Sequence, residues 1–350
     1  MANSELRNGN ESLDFSGLCG PCELSEPLRR ALAEAAQSSA GDAEGAALEL
    51  RRRAAEAYGL LPEQLLASGD ASELIYAIPR ALRPRRAVIL APCSQDYWRA
   101  CDGVGVEAEG LPASEAQEFI PDLEAMGASL GGTEMLFIGN PNDPTGAALP
   151  AEALRGLAAR FPGLLLVVDE RFGELVPDAA GLSLLGGPLP PNLLLVRALP
   201  CAREPAGPGV GFIVASASLC DRVKGALQPH AADAAAMRTG LALIQASEEL
   251  RALREPRIAE RERVREALSR LPGLRVFRSQ ANFLLLKSTK PGLTSAMLCE
   301  RLLSRHLLAR NVAGFRGLDG RFLRLCIRRP KENDLLLDAM RDALENAKWK

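Results

Sequence analysis

Asp169 closes the apolar run 164–168 and is followed by Glu170, Arg171 and Phe172. A carboxylate at the end of a buried strand needs partners, because an unpaired charge in apolar surroundings is costly. Asp143 sits in the cluster Asn140-Pro141-Asn142-Asp143-Pro144-Thr145-Gly146, which turn chemistry alone could explain. Cys19-Gly20-Pro21-Cys22 is a C-x-x-C, the spacing of a redox dithiol, although the fold context of a thioredoxin is absent around it. Cys201 lies in a Gly/Pro-rich loop between the apolar runs 193–196 and 210–215. Such thiols are ligands, or small hydrophobes that pack in a core.

The elements that must carry these residues follow from the pattern. Strands are expected at 64–67, 87–90, 135–138, 164–168, 193–196 and 212–214. Helices are expected at 73–82 and 151–161, with another through Trp98 and Arg99. Apolar strands alternating with helices predict a mostly parallel sheet covered on both faces, with ligands beyond the carboxyl ends of its strands. Asp70, Cys93, Asp143, Asp169 and Cys201 all fall at those ends. Upstream, Ser25 is expected to cap a helix at 26–36, and a second helix runs from about 46 to 58. Downstream, 218–268 reads as helical and rich in Ala and Arg. Strands at 274–277, 281–287 and 322–327, with helices at 293–305 and 331–345, then build a smaller α+β domain.

A chain of 350 residues suits two domains, or one domain with a satellite. The expected division is an N-terminal arm joining the small domain (1–40), a large domain (41–245) and a small C-terminal domain (246–350). The 42 basic and 44 acidic residues are scattered and leave a net charge of −2, which argues against a nucleic-acid partner. No apolar run is long enough to span a bilayer, and the first residues lack a basic stretch followed by an apolar one. A soluble, cytoplasmic protein is expected. Its eight cysteines are then thiols or ligands, with Cys101, Cys220, Cys299 and Cys326 read as core thiols.

The turn cluster and Asp169-Glu170-Arg171-Phe172 together resemble the N-P-x-N-P-T-G and D-E-x-[FY] signatures of the class I/II aminotransferases, which are fold-type I pyridoxal-phosphate enzymes. Asp70-Ala71-Ser72-Glu73-Leu74-Ile75-Tyr76 resembles their phosphate-cup turn, and Ser279-Gln280-Ala281-Asn282-Phe283-Leu284 a strand of their small domain. The segment 317–325 with 330–334 is similar to their C-terminal signature. The nearest pattern is that of the threonine-phosphate decarboxylases, followed by the histidinol-phosphate aminotransferases. The resemblance spans about 14–345 and implies a three-layer large domain, a small α+β domain and a homodimer. It assigns Asp169 to the cofactor's ring nitrogen, Ser72 to its phosphate, and Arg324 to a substrate carboxylate. Arg310 also fits the pattern as a substrate-binding residue.

The resemblance also exposes losses. The family's anchoring loop reads S-x-x-K with an arginine further on, where this chain has Ala198, Cys201 and Gly209. A thiol cannot form the internal aldimine that the lysine forms. Asp70 brings a negative charge into the phosphate cup, Ser94 replaces an aromatic that stacks on the ring, and Asp143 replaces an asparagine that meets the ring hydroxyl. Like charges ~4 Å apart repel by ~4 kcal/mol at an effective dielectric near 20, so covalently held pyridoxal phosphate is not expected. The resemblance implies that Cys19, Cys22, Cys93 and Cys201 face one cavity, with His230 as an alternate, which is a donor set for zinc or an iron–sulfur cluster. Three readings stay open. The chain is a diverged family member without Schiff-base catalysis, with a small acid or a cysteine-held metal in its old cavity. Alternatively it is an active aminotransferase or amino-acid phosphate decarboxylase, or a non-catalytic subunit that pairs with an active paralogue.

Overall fold

The computed structural model describes residues 12–18, 24–37, 42–173, 176, 181–199, 209–228 and 233–345. Cys19, Cys22, Cys201 and His230 lie outside the described residues.

The chain opens with strand β1 (Leu13–Asp14), helix α1 (Glu26–Gln37) and α2 (Ala43–Tyr58). The large-domain series follows as β2 (Leu65–Ser68), α3 (Ala71–Leu82), β3 (Arg86–Ala91), α4 (Gln95–Asp102), β4 (Glu107–Pro112) and α5 (Leu123–Gly127). It continues through β5 (Met135–Gly139), α6 (Ala151–Arg160), β6 (Leu165–Asp169), β7 (Leu193–Ala198) and β8 (Gly211–Val214). Then come α7 (Ala217–Lys224), α8 (Ala234–Gln245), α9 (Ser247–Ala252) and α10 (Arg254–Ser269). The chain closes with β9 (Leu274–Val276), β10 (Phe283–Ser288), α11 (Ser295–Leu303), β11 (Leu307–Leu308), β12 (Arg310–Asn311), β13 (Phe322–Cys326) and α12 (Pro330–Glu345).

The seven-stranded sheet has the order β2-β8-β7-β6-β5-β3-β4. Only β8 runs against its neighbours. The strands β5 and β6 are apolar on both faces because helices cover both. Leu136, Ile138, Val168 and Leu195 pack with Leu50, Leu154 and Met237 of α2, α6 and α8. Phe137, Val167, Leu194 and Ile213 pack with Leu74, Ile78 and Trp98 of α3 and α4. The three-layer α/β large domain is therefore as expected.

The small domain holds the antiparallel sheet β12-β13-β10-β9. Its core joins Leu284, Leu286, Leu323 and Leu325 to Leu268, Leu298, Leu336 and Met340, and Phe15 enters the same core. β1 pairs with β11 in parallel register. Further on, Ser25 caps α1 through its hydroxyl and takes up Glu249 with backbone N–H and hydroxyl.

The pattern missed the short elements α5, β11 and β12 and misplaced others. The helical stretch expected at 218–268 is divided into α7 to α10. Gly225 ends α7, and Asp233 caps a new start at α8. The helix α3 begins at Ala71, because Asp70 serves as its N-cap rather than as part of a longer turn. β4 was not expected, since its residues are largely exposed at a sheet edge and carry no apolar alternation. No helix among the described residues is long and apolar enough to cross a membrane.

Candidate functional site

The carboxyl ends of β2, β3, β5 and β6 meet at one place, and β13 of the small domain faces it. Asp169 ends β6 with only 1 % of its surface exposed. Its carboxylate is saturated by the chain itself. The Nε–H of Arg171 reaches both oxygens at 3.0 and 2.9 Å. Nη2 of the same guanidinium stands 2.8 Å from Oδ2, and the Arg171 backbone N–H donates to Oδ1 at 3.0 Å. The Tyr97 hydroxyl, from α4, donates to Oδ2 at 2.7 Å.

Arg171 then bridges outward. Its Nη1 donates to the Ser72 hydroxyl at 3.0 Å, and Nη2 reaches Asp96 at 3.3 Å. Its side chain is 7 % exposed. Burial opposes the charge on this guanidinium, but Asp169 outweighs it and raises the Arg171 pKa above its ordinary value. Burial, and then the Asp169 charge, pushes the Tyr97 phenol well up, so it remains a donor.

The start of α3 is equally engaged. Asp70 accepts from the Ser72 backbone N–H at 2.7 Å. The Ala71 N–H donates to the Gly209 carbonyl at 2.8 Å. Helix N-terminal N–H groups are natural anion donors, and here two of them already have partners. Ser94, at the place of a stacking aromatic, caps α4 by accepting from the Asp96 N–H.

The turn 140–146 shapes the opposite wall. Asn140 ties it to Leu149 and Leu182, and Asn142 donates to the Pro92 carbonyl and the Thr145 hydroxyl, each at 2.8 Å. Gly146 adopts φ +71°, and a Cβ there would stand 3.0 Å from the Ser279 Cα of the small domain. The turn aims Asp143 at Arg324 of β13, and the two form a buried ion pair. Burial pushes the Asp143 carboxyl up although Arg324 pulls it down. Arg310 stands directly across from Arg324 in the β12–β13 register and is exposed.

The expected sites therefore stand as follows. Asp169, Ser72 and Asp143 converge with Arg324, while Arg310 lies at the exposed side of the same strand pair. Cys93 is 2 % exposed within the apolar core beside Trp98, and burial lifts its thiol to about 12. Among the described residues no group of three or more His, Cys, Asp or Glu is placed to hold a metal ion. The sequence reading missed Arg171. Its signal was a charged residue in the open position of the D-E-x-F pattern.

Cys101, Cys220 and Cys326 are also buried, with thiols raised to about 12, 11 and 12 by desolvation. They should resist alkylation in the native protein at pH 8 together with Cys93, and react fully once denaturant is added, which mass spectrometry can follow.

Known structures share this fold. The histidinol-phosphate aminotransferase of Clostridium acetobutylicum superposes with a TM-score of 0.86 at 22 % identity, over 95 % of this chain and 99 % of that one. That of Sinorhizobium meliloti, solved in complex with pyridoxal-5'-phosphate, gives 0.84 at 20 % identity, over 96 % and 92 %. The fold is that of the pyridoxal-phosphate-dependent transferases. In sequence, the chain is 29 % identical over 343 residues to the threonine-phosphate decarboxylase of Salmonella typhimurium, covering 96 % of this chain and 92 % of that protein. The model of the family "Aminotransferase class I and II" matches residues 14–340, and the chain belongs to that family.

The residues in the cofactor positions do not fit pyridoxal phosphate as they are arranged. Asp169, which the resemblance assigns to a ring nitrogen, holds Arg171, and Ser72, which it assigns to a phosphate, accepts from the same side chain. Asp70 puts a carboxylate on the Ser72 N–H, in the turn that the resemblance assigns to a phosphate.

Proposed function

We propose that this chain is a diverged member of the aminotransferase family that does not run Schiff-base chemistry on pyridoxal phosphate. The observation that carries the reading is the saturation of Asp169 by Arg171 and Tyr97. A ring nitrogen could reach that carboxylate only by displacing a buried, doubly held guanidinium. Cys201 at the lysine position and Gly209 at the arginine position support the same reading. The cysteine-held metal is not carried forward, because Cys19, Cys22, Cys201 and His230 lie outside the described residues.

The names of the relatives favour a second reading, an active aminotransferase or amino-acid phosphate decarboxylase. Adding pyridoxal phosphate to the pure protein separates the two. The proposal expects no aldimine band and, after borohydride, no stoichiometric phosphopyridoxyl adduct on any one lysine. A visible band that borohydride abolishes, with one adduct per chain, would establish the second reading instead.

A further inference from the structure

We infer that residues 113–120 form a strap that latches the small domain onto the large one, with Phe119 as its peg, and that the cleft between them opens when the peg withdraws. In chain order the strap belongs to the large domain, between Pro112 and Pro121. The Ala113 N–H ties one end to the Ala91 carbonyl of β3 at 2.7 Å, and Asp122 caps α5 just past the other. Behind the strap a pocket of about 240 Å³, lined by Leu90, Leu111, Ala125 and Met126, parts it from its own domain.

The strap's side chains go into the small domain instead. Phe119 is 4 % exposed, in a cluster with Phe277, Leu285, Val312, Phe315 and Phe322. Its ring lies 5.3 Å from that of Phe277 and 6.1 Å from that of Phe322. The Lys287 ammonium donates to both Glu115 carboxylate oxygens at 2.8 and 2.6 Å. Arg275 reaches the same carboxylate at 3.1 Å and the Glu115 carbonyl at 3.2 Å.

The peg is seated against strain. Glu118 and Phe119 have φ of +53° and +60°, a backbone that residues with a Cβ rarely adopt and that persists only where the surroundings hold it. Burial of the Phe119 ring among aromatic partners supplies that hold. Withdrawn, the ring loses those partners and both residues relax to ordinary φ, so the strap has a seated and a released arrangement. Seating it sets the spacing of the cleft. Across the same boundary the Gln280 N–H donates to the Gly146 carbonyl at 2.8 Å, and Arg316 lies 3.9 Å over the Trp98 ring.

Residue-resolved amide hydrogen exchange on the full chain tests the strap, because parting of the domains frees the Gln280 N–H. In the wild type this amide should exchange faster than those inside β6 and β13, through an opening smaller than global unfolding. Phe119→Ala should speed exchange at Gln280 by about ten-fold or more, since the peg's contacts are lost in that opening. Leu298→Ala is the control, because Leu298 lies fully buried within the small domain's own core and stays covered when the domains part. It should leave the Gln280 rate within about two-fold of wild type. A folded Phe119→Ala with an unchanged Gln280 rate overturns the inference. So does a wild-type Gln280 amide as slow as the β6 interior, or a Leu298→Ala effect as large as that of Phe119→Ala. If Phe119→Ala does not fold, Glu115→Gln decides. It should speed Gln280 exchange by about two- to five-fold, as loss of a partly exposed ion pair does, and an unchanged rate overturns the strap.

Discussion

Arg171→Ala should lower stability toward urea by about 3–5 kcal/mol, the usual cost of removing one partner from a buried ion pair. The loss is large because Asp169 would keep only the Tyr97 hydroxyl and one backbone N–H. Arg171→Lys keeps the charge but cannot span Asp169 and Ser72 together, and should cost about 1.5–3 kcal/mol, in the range of a lost charge-assisted hydrogen bond. A variant Arg171→Ala as stable as the wild type at pH 8 would show that the guanidinium is not bound at Asp169.

The second large effect concerns the pair between the domains. Arg324→Met should cost about 3–5 kcal/mol, since it leaves Asp143 buried and charged on the large-domain turn. Asp143→Asn should cost a similar amount by leaving Arg324 as an unpaired buried cation. The double variant Asp143→Asn/Arg324→Met removes both charges and should cost less than either single change, a coupling that a double-mutant cycle measures. Burial already pushes the Asp143 carboxyl up. The Arg324→Met defect should therefore shrink as pH falls and Asp143 takes up a proton. Additive single effects would mean that the two side chains do not act on one another.

The fold was legible because the central strands are short runs of Leu, Val and Ile that only a doubly covered sheet can bury. Asp169 was legible for the same reason, as a carboxylate ending such a run. β4 was not, because an edge strand is stabilised by its single neighbour, β3, and its residues Glu107 and Glu109 point to solvent. Much of the site was hidden because its contacts are long in sequence. Nothing local says that Arg171 folds back on Asp169 and then meets Ser72, or that Asp143 meets a strand at Arg324. Asp70 was read as a charge opposing a phosphate. In the fold it is first a helix cap, and it blocks the phosphate's N–H by performing that ordinary task. Of the four cysteines that the resemblance brings to one cavity, Cys93 packs beside Trp98 and the other three lie outside the described residues.

The central claim is that Arg171 holds the position on Asp169 that the family gives to its cofactor. The most direct measurement is the nitrogen-15 NMR signal of the Arg171 Nε–H, assigned by its loss in Arg171→Lys, during titration with pyridoxine 5'-phosphate, which lacks the aldehyde. The account predicts a signal protected from solvent exchange and unmoved up to millimolar ligand. A saturable shift, or loss of protection at micromolar ligand, would contradict it, because the ring would then be displacing the guanidinium from Asp169.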